Sequence, residues 1–172
     1  GQEKFVVDLG ASVESEGVIH NGRALFHLRN HQIFCLDVET GKILWAYKRS
    51  VPYLTTIQRV SKPIVYKDKV IVGFADGSVA ALSLDEGLLV WESKVSNGAK
   101  FVDVDNSPVL VDDKLYVNSI PGPESILDAN TGNIIRKSEI VASRSPLVIQ
   151  NKLLFALTNG SLLLTDLQLN PI

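Results

Sequence analysis

The 172-residue chain has a single cysteine, Cys35, so no disulfide can form within it and the redox compartment stays open. No stretch approaches the roughly 20 consecutive apolar residues of a membrane-spanning helix. The opening Gly1-Gln2-Glu3-Lys4 lacks the basic and apolar regions of a signal peptide, so the chain reads as cytosolic or as a trimmed mature form. Lys and Arg number 17 against 19 Asp and Glu, a formal net charge of −2 with no basic cluster, which removes the electrostatic reason to expect nucleic acid. His20, His27 and His31 have no carboxylate or cysteine at metal-ligand spacing and read as ordinary surface or turn residues, with no metal site. No glycine-rich phosphate loop is present; Asn21-Gly22, Asp76-Gly77 and Asn159-Gly160 are turn dipeptides. Nor does any serine, histidine and acid set suggest nucleophilic catalysis.

What the chain does have is a repeat. Cys35-Leu36-Asp37-Val38-Glu39-Thr40-Gly41-Lys42-Ile43-Leu44-Trp45 returns as Ala81-Leu82-Ser83-Leu84-Asp85-Glu86-Gly87-Leu88-Leu89-Val90-Trp91, and in worn form as residues 126–136. From Gly41 to Gly87 is 46 residues and from Gly87 to Gly132 is 45. Periods of this length mark solenoids or propellers, and short apolar runs between turn residues select the propeller. Within the motif, Asp37 and Asp128 open a turn by bonding their own backbone, the glycine supplies a positive φ, and the apolar residues beyond it resume a strand. Trp45 and Trp91 offer more apolar surface than one four-stranded sheet can hide, so each blade needs a neighbour. Cys35, aligned with Ala81, is buried packing. With 45% hydrophobic and 21% charged residues the chain builds a real core.

The sequence therefore predicts an all-β fold, one β-propeller domain over residues 1–172 with blades at about 15–60, 61–106, 107–143 and 144–172. In the second blade the strands fall at about 62–66, 69–75, 78–84 and 88–94. In the third, Ile120-Pro121-Gly122-Pro123 replaces the Asp-Gly turn and distorts that hairpin end. The fourth reaches Ile172 without a fourth strand, while residues 5–9 form a strand with no partner before it. These two observations predict that residues 4–10 complete the last blade and that the chain is a whole unit. Closure within one chain makes four blades, and closure between two makes eight; the second, a cyclic homodimer, is the favoured expectation.

The blade signature from Cys35 to Trp45, with Ser83 in place of the aspartate in the second copy, resembles that of the quinoprotein-dehydrogenase-like propellers. Within that group, Leu54-Thr55-Thr56-Ile57-Gln58-Arg59-Val60-Ser61-Lys62-Pro63, then Val72-Gly73-Phe74-Ala75-Asp76-Gly77 and Asp103-Val104-Asp105-Asn106-Ser107-Pro108-Val109, are similar to the BamB family of outer-membrane β-barrel assembly lipoproteins. That resemblance implies an eight-bladed, periplasmic, lipid-anchored scaffold that binds the periplasmic domains of BamA; this chain has about half the blades. It also implies partner contacts at Ile57, Gln58, Arg59, Asp103 and Asp105, with Gln58 where the family usually has an arginine and Arg59 displaced by one. The quinone-dependent enzymes bring adjacent cysteines and a calcium site, and one cysteine argues against that chemistry. The expectation is accordingly a non-enzymatic protein with no cofactor.

The residues alone leave alternatives open. Asp103 and Asp105, two apart in an extended segment, put both carboxylates on one side, where they grip a basic group of a partner or cap the chain into the strand after Pro108; without further oxygen donors they make a poor cation cage. Residues 51–59 are too apolar for a plain solvated loop, so Tyr53, Leu54 and Ile57 either tuck against the next blade or meet a partner. The rival functions are a ligand-binding or degenerate quinoprotein-type propeller, or the sensor domain of a longer receptor.

Overall fold

The computed structural model describes residues 4–51, 60–97, 103–119 and 122–172. Among the described residues it contains fifteen strands and no helix. The first blade is β1 (Val18–His20), β2 (Arg23–His27), β3 (Gln32–Asp37) and β4 (Ile43–Lys48), paired in that order and antiparallel throughout. The second repeats it as β5 (Ile64–Tyr66), β6 (Lys69–Gly73), β7 (Ser78–Ser83) and β8 (Leu89–Lys94). The third is β9 (Val109–Val111), β10 (Lys114–Asn118), β11 (Glu124–Asp128) and β12 (Ile134–Lys137). The fourth has three strands, β13 (Leu147–Ile149), β14 (Lys152–Ala156) and β15 (Leu162–Asp166). The 46-residue period is thus a sheet repeated along the chain, as its turn chemistry predicts.

The turn between the third and fourth strands works as read from the sequence. Asp37 Oδ1 accepts hydrogen bonds from the backbone N–H of Glu39 (3.1 Å) and Thr40 (2.8 Å), while Gly41, at φ 71°, donates back to the Asp37 carbonyl. Asp128 Oδ1 takes the N–H of Asn130 and Thr131 at 2.8 and 2.9 Å in the same way. The Thr40 hydroxyl, which also donates to Asp37 Oδ1 at 2.8 Å, does most to hold Asp37 below the usual carboxylate range, followed by the backbone donors, and at Asp128 the Thr131 N–H leads. After each turn the register slips by one residue, between Cys35 and Leu36, Ala81 and Leu82, and Ile126 and Leu127. A bulge at one place in three blades turns each outer strand toward the next blade.

The core lies between blades. Leu25, Ile33, Cys35 and Trp45 of the first meet Val70, Val72, Phe74, Ala80, Leu82 and Leu84 of the second. Ile71, Val79, Ala81 and Trp91 of the second meet Val104, Leu115, Val117, Leu127 and Ala129 around the third. Tyr116 and Ile126 of the third meet Leu153 and Phe155 of the fourth. Alternate residues of a central strand face opposite neighbours, so β3 and β7 are buried on both sides. Each tryptophan bridges a junction: Trp45 donates its indole N–H to the Leu84 carbonyl at 2.9 Å, and Trp91 donates to Ala129 at 3.2 Å. In the third blade Arg136 stands at the tryptophan position and reaches Asn170 at 3.2 Å.

Two expectations are corrected here. Residues 4–10 form no strand and, among the described residues, make no ladder with β15. They lie instead on the outward face of the first blade, where Val7, Leu9 and Ala11 pack on Leu28, Phe34 and Leu36. The physical reason is reach: each core cluster joins only consecutive blades, and no cluster or strand pairing of the described residues joins the fourth blade to the first. The four blades form an open arc. Second, His27 and His31 are buried rather than superficial. As for the hairpin of the third blade, residues 120–121 lie outside the described residues, and the ladder beside them runs in register to Asn118 opposite Glu124.

Candidate functional site: the face of the inter-blade connections

In four-stranded antiparallel sheets joined end to end, the connection between blades emerges on the same side as the turn between second and third strands. The described ends of the two connections, residues 49–51 with 60–63 and residues 95–97 with 103–108, therefore share a face with residues 28–31 and 74–77. Ile57, Gln58 and Arg59 lie outside the described residues. Asp103 and Asp105 do not present themselves together: Asp103 is fully buried, and Asp105 is half-buried. Asp105 shares a depression of about 340 Å³ with Glu14, Val60 and Arg144. Each of these residues precedes the first strand of its own blade by three or four positions, so together they line one end of the arc's inner edge. Glu14 is ion-paired with Arg29 at 3.3 Å.

Behind this edge a serine recurs in every blade, at Ser15, Ser61, Ser107 and Ser145. Ser61 Oγ donates to the Gly73 carbonyl (3.0 Å) and accepts the Gly73 N–H (2.8 Å), which seats the entry of the second blade on its own second strand. The Lys62 N–H donates to Ser107 Oγ at 3.0 Å, and Ser145 Oγ donates to the Ser107 carbonyl at 2.7 Å. These bonds stitch neighbouring entries together near the axis. Spacing alone carries this signal, since all four serines stand at equivalent places in the repeat.

Arg49 fixes the root of the first long connection. Its guanidinium makes a bidentate pair with Glu92 (2.7 and 3.1 Å), pairs with Asp76 at 2.6 Å, and lies 5.0 Å from the centre of the Phe74 ring. Burial opposes its charge, yet the carboxylates of Glu92 and Asp76 outweigh burial and raise the arginine above its usual range. Next to it, His27 donates its Nδ1–H to the Ser61 carbonyl at 2.9 Å and meets Phe74 edge-on at 5.5 Å. Burial pulls His27 down to about 4, so it is neutral at pH 7. His31, 6.0 Å away, is lowered as well, again mainly by burial. On the third blade Glu124 is buried, with no hydrogen-bond partner for either carboxylate oxygen among the described residues, and burial pushes it up to about 8. Sequence reading singled out neither Arg49 nor Glu124.

This face can hold a partner by shape and charge, through a rigid clamp under one long connection and an acidic residue in a depression near the other. Residues 1–168 match the family model described as outer membrane protein assembly factor BamB. The BamB of Yersinia pestis is 30% identical over 171 residues, which cover 91% of this chain and 43% of that protein. The crystal structure of BamB from Moraxella catarrhalis superposes with a TM-score of 0.83 at 26% identity, over 95% of this chain and 51% of that one. A quinoprotein ethanol dehydrogenase of Pseudomonas aeruginosa is 30% identical over 105 residues, 58% of this chain and 16% of the enzyme. The chain spans less than half the length of the Yersinia relative. On a match running through nearly all of its residues, the chain belongs to the family of the outer membrane protein assembly factor BamB.

Proposed function

We propose that this protein is a non-catalytic scaffold in the assembly of outer-membrane β-barrel proteins, working in the periplasm at a lipid-anchored site and pairing as a homodimer. It docks the periplasmic domains of a BamA-type partner through the connections 49–63 and 95–108, with Ile57, Gln58, Arg59 and Asp105 as contacts. Asp103, being buried, supports the second connection from beneath. The observation that carries this reading is the family match over residues 1–168, to which the structure adds two long connections rooted on one face. The single cysteine speaks against the quinone chemistry of the more distant relatives.

The test is capture of the chain by the periplasmic domains of the assembly protein. The pair Ile57→Asp with Asp105→Lys lowers capture at least tenfold and leaves the far-ultraviolet spectrum unchanged. Undiminished capture by the folded double variant overturns the assignment. A second reading, a small ligand held in the depression lined by Glu14, Val60, Asp105 and Arg144, draws on the pairing of acid and base there and on the quinoprotein relatives. Heat released on titrating a small acid or quinone into the chain, abolished by Arg144→Ala, would favour it.

A further inference from the structure

The first blade departs from the others at two places that lie side by side. In the turn after each second strand, one residue donates its backbone N–H three residues back: His31 to Leu28, Gly77 to Phe74, Gly122 to Ser119 and Gly160 to Leu157. His31 holds this place at φ 59°, against 84° for Gly77 and 87° for Gly160. An imidazole thus stands where the turn asks for glycine, on a backbone that a side chain strains. The other place is the end of the second strand. His27 pairs with Ile33 there as Gly73 pairs with Val79 and Ala156 with Leu162, so a second imidazole occupies a position that the second and fourth blades leave nearly bare.

The two rings meet beneath the turn, with centroids 6.0 Å apart and planes at 57°, and both residues are buried. His27 Nδ1 lies 2.9 Å from the Ser61 carbonyl. A carbonyl only accepts, so the proton sits on Nδ1 and Nε2 keeps its lone pair. Among the described residues, neither His27 Nε2 nor His31 Nδ1 has a hydrogen-bond partner. The oxygen-bearing side chains that the second blade brings to this corner are spent. Ser61 Oγ is engaged by Gly73, Glu92 gives both oxygens to Arg49, and Asp76 divides its own between Arg49 and the Ser78 N–H. Phe74 adds an apolar wall, its ring 5.5 Å from that of His27.

Two nitrogen lone pairs with no third ligand suit a particular kind of ion. A metal–imidazole bond is about 2.0 Å long, so two imidazoles that share one ion on the line between them have centroids roughly 6 Å apart. Zinc and other divalent ions ask for more ligands than two, and the cost of burying an ion grows with the square of its charge. The neighbouring clamp sets one guanidinium, Arg49, against two carboxylates, Asp76 and Glu92. It is left with a single negative charge, which one positive charge balances. We infer that His27 Nε2 and His31 Nδ1 form a two-coordinate site for copper(I), a soft monovalent cation. The ion ties the second strand of the first blade to the turn that follows it, beside the root of the connection that begins at Arg49. This site is independent of the assembly role.

The test uses the whole chain carrying Cys35→Ala, which copies Ala81 of the second blade and removes the one thiol. Titrated without oxygen against the competitor bicinchoninate, this chain takes up one equivalent of copper(I), and X-ray absorption at the copper edge shows two nitrogen neighbours. His31→Gly, which copies Gly77 and Gly160, and His27→Ala, which copies Ala156, each keep the far-ultraviolet spectrum and lower the affinity by more than about tenfold. His20→Ala leaves it unchanged. Silver(I), a stand-in that air does not oxidise, raises the melting temperature of the unsubstituted chain by an amount that His31→Gly loses. No uptake beyond the competitor, uptake that survives either His27→Ala or His31→Gly, loss with His20→Ala, more than two copper neighbours, or zinc(II) held as firmly as copper(I) each overturns the site.

Discussion

Trp91 rests on Gly132: its six-membered ring covers the α-carbon of a residue held at φ 75°. The glycine is required twice there, once by its backbone angle and once by the approach of the indole. Gly160, at φ 87°, meets only the first requirement, because nothing stands within 4 Å of a Cβ built on it. Gly132→Ala should cost about 2–4 kcal/mol and Gly160→Ala about 1–2 kcal/mol. Urea unfolding midpoints check the order, and equal losses would refute the role of the ring.

Arg49 clamps the first junction from its side. Removing the charge in Arg49→Met strands two carboxylates and should lower stability by about 2 kcal/mol, with Arg49→Lys recovering less than half because an ammonium cannot reproduce the bidentate fork. A double-mutant cycle with Glu92→Gln should show coupling of about 1 kcal/mol that shrinks in high salt.

Glu124 and His27 give stability a pH profile with two limbs. Burial raises Glu124 from 4.5 to about 8 in the folded chain, so between those values the folded state binds more protons than the unfolded one and stability falls as pH rises. Burial lowers His27 from 6.5 to about 4, so from 4 to 6.5 the unfolded state binds more and stability rises with pH. The two oppose each other below pH 6.5, and above it only Glu124 acts, removing up to about 2 kcal/mol by pH 8. Denaturant titrations at pH 6.5 and pH 8 should show that fall in the wild type and none in Glu124→Gln.

Cys35 is fully buried, and burial raises its thiol to about 11. At pH 8 its reaction with Ellman's reagent should be slower than that of the urea-unfolded chain by roughly two orders of magnitude, since the thiolate is the reacting form. Comparable rates before and after unfolding would show that the first junction opens readily.

The parts of this structure that were legible in the sequence are those set within a few residues of one another. Asp37, Thr40 and Gly41 make their turn from local bonds alone, and the same bonds around Asp128 and Gly132 carry the period through the chain. The tryptophans announced that blades must touch. What stayed hidden depends on the neighbour 46 residues away. Nothing beside His27 in the sequence says that Phe74 and Ser61 will enclose it, and Arg49 at the end of a strand looks like any solvated cation until Glu92 and Asp76 arrive from the next blade. The placement of residues 5–9 failed for a related reason: an unpaired strand and an unpaired edge are complementary whether or not they can reach each other in one molecule. Asp103 and Asp105 share a spacing, but which of them faces water is decided by the packing of Val104 beside Gly73.

Arg136 at the tryptophan position has an outcome for how the arc comes apart. The first two joints carry an indole across the rim, and the third has a guanidinium reaching one amide in open solvent. In a modular stack whose cohesion is summed joint by joint, the least greasy joint yields first, so amide deuteration should sweep in from β13–β15 before it touches β5–β8. Arg136→Trp would restore the missing keystone and even out that gradient.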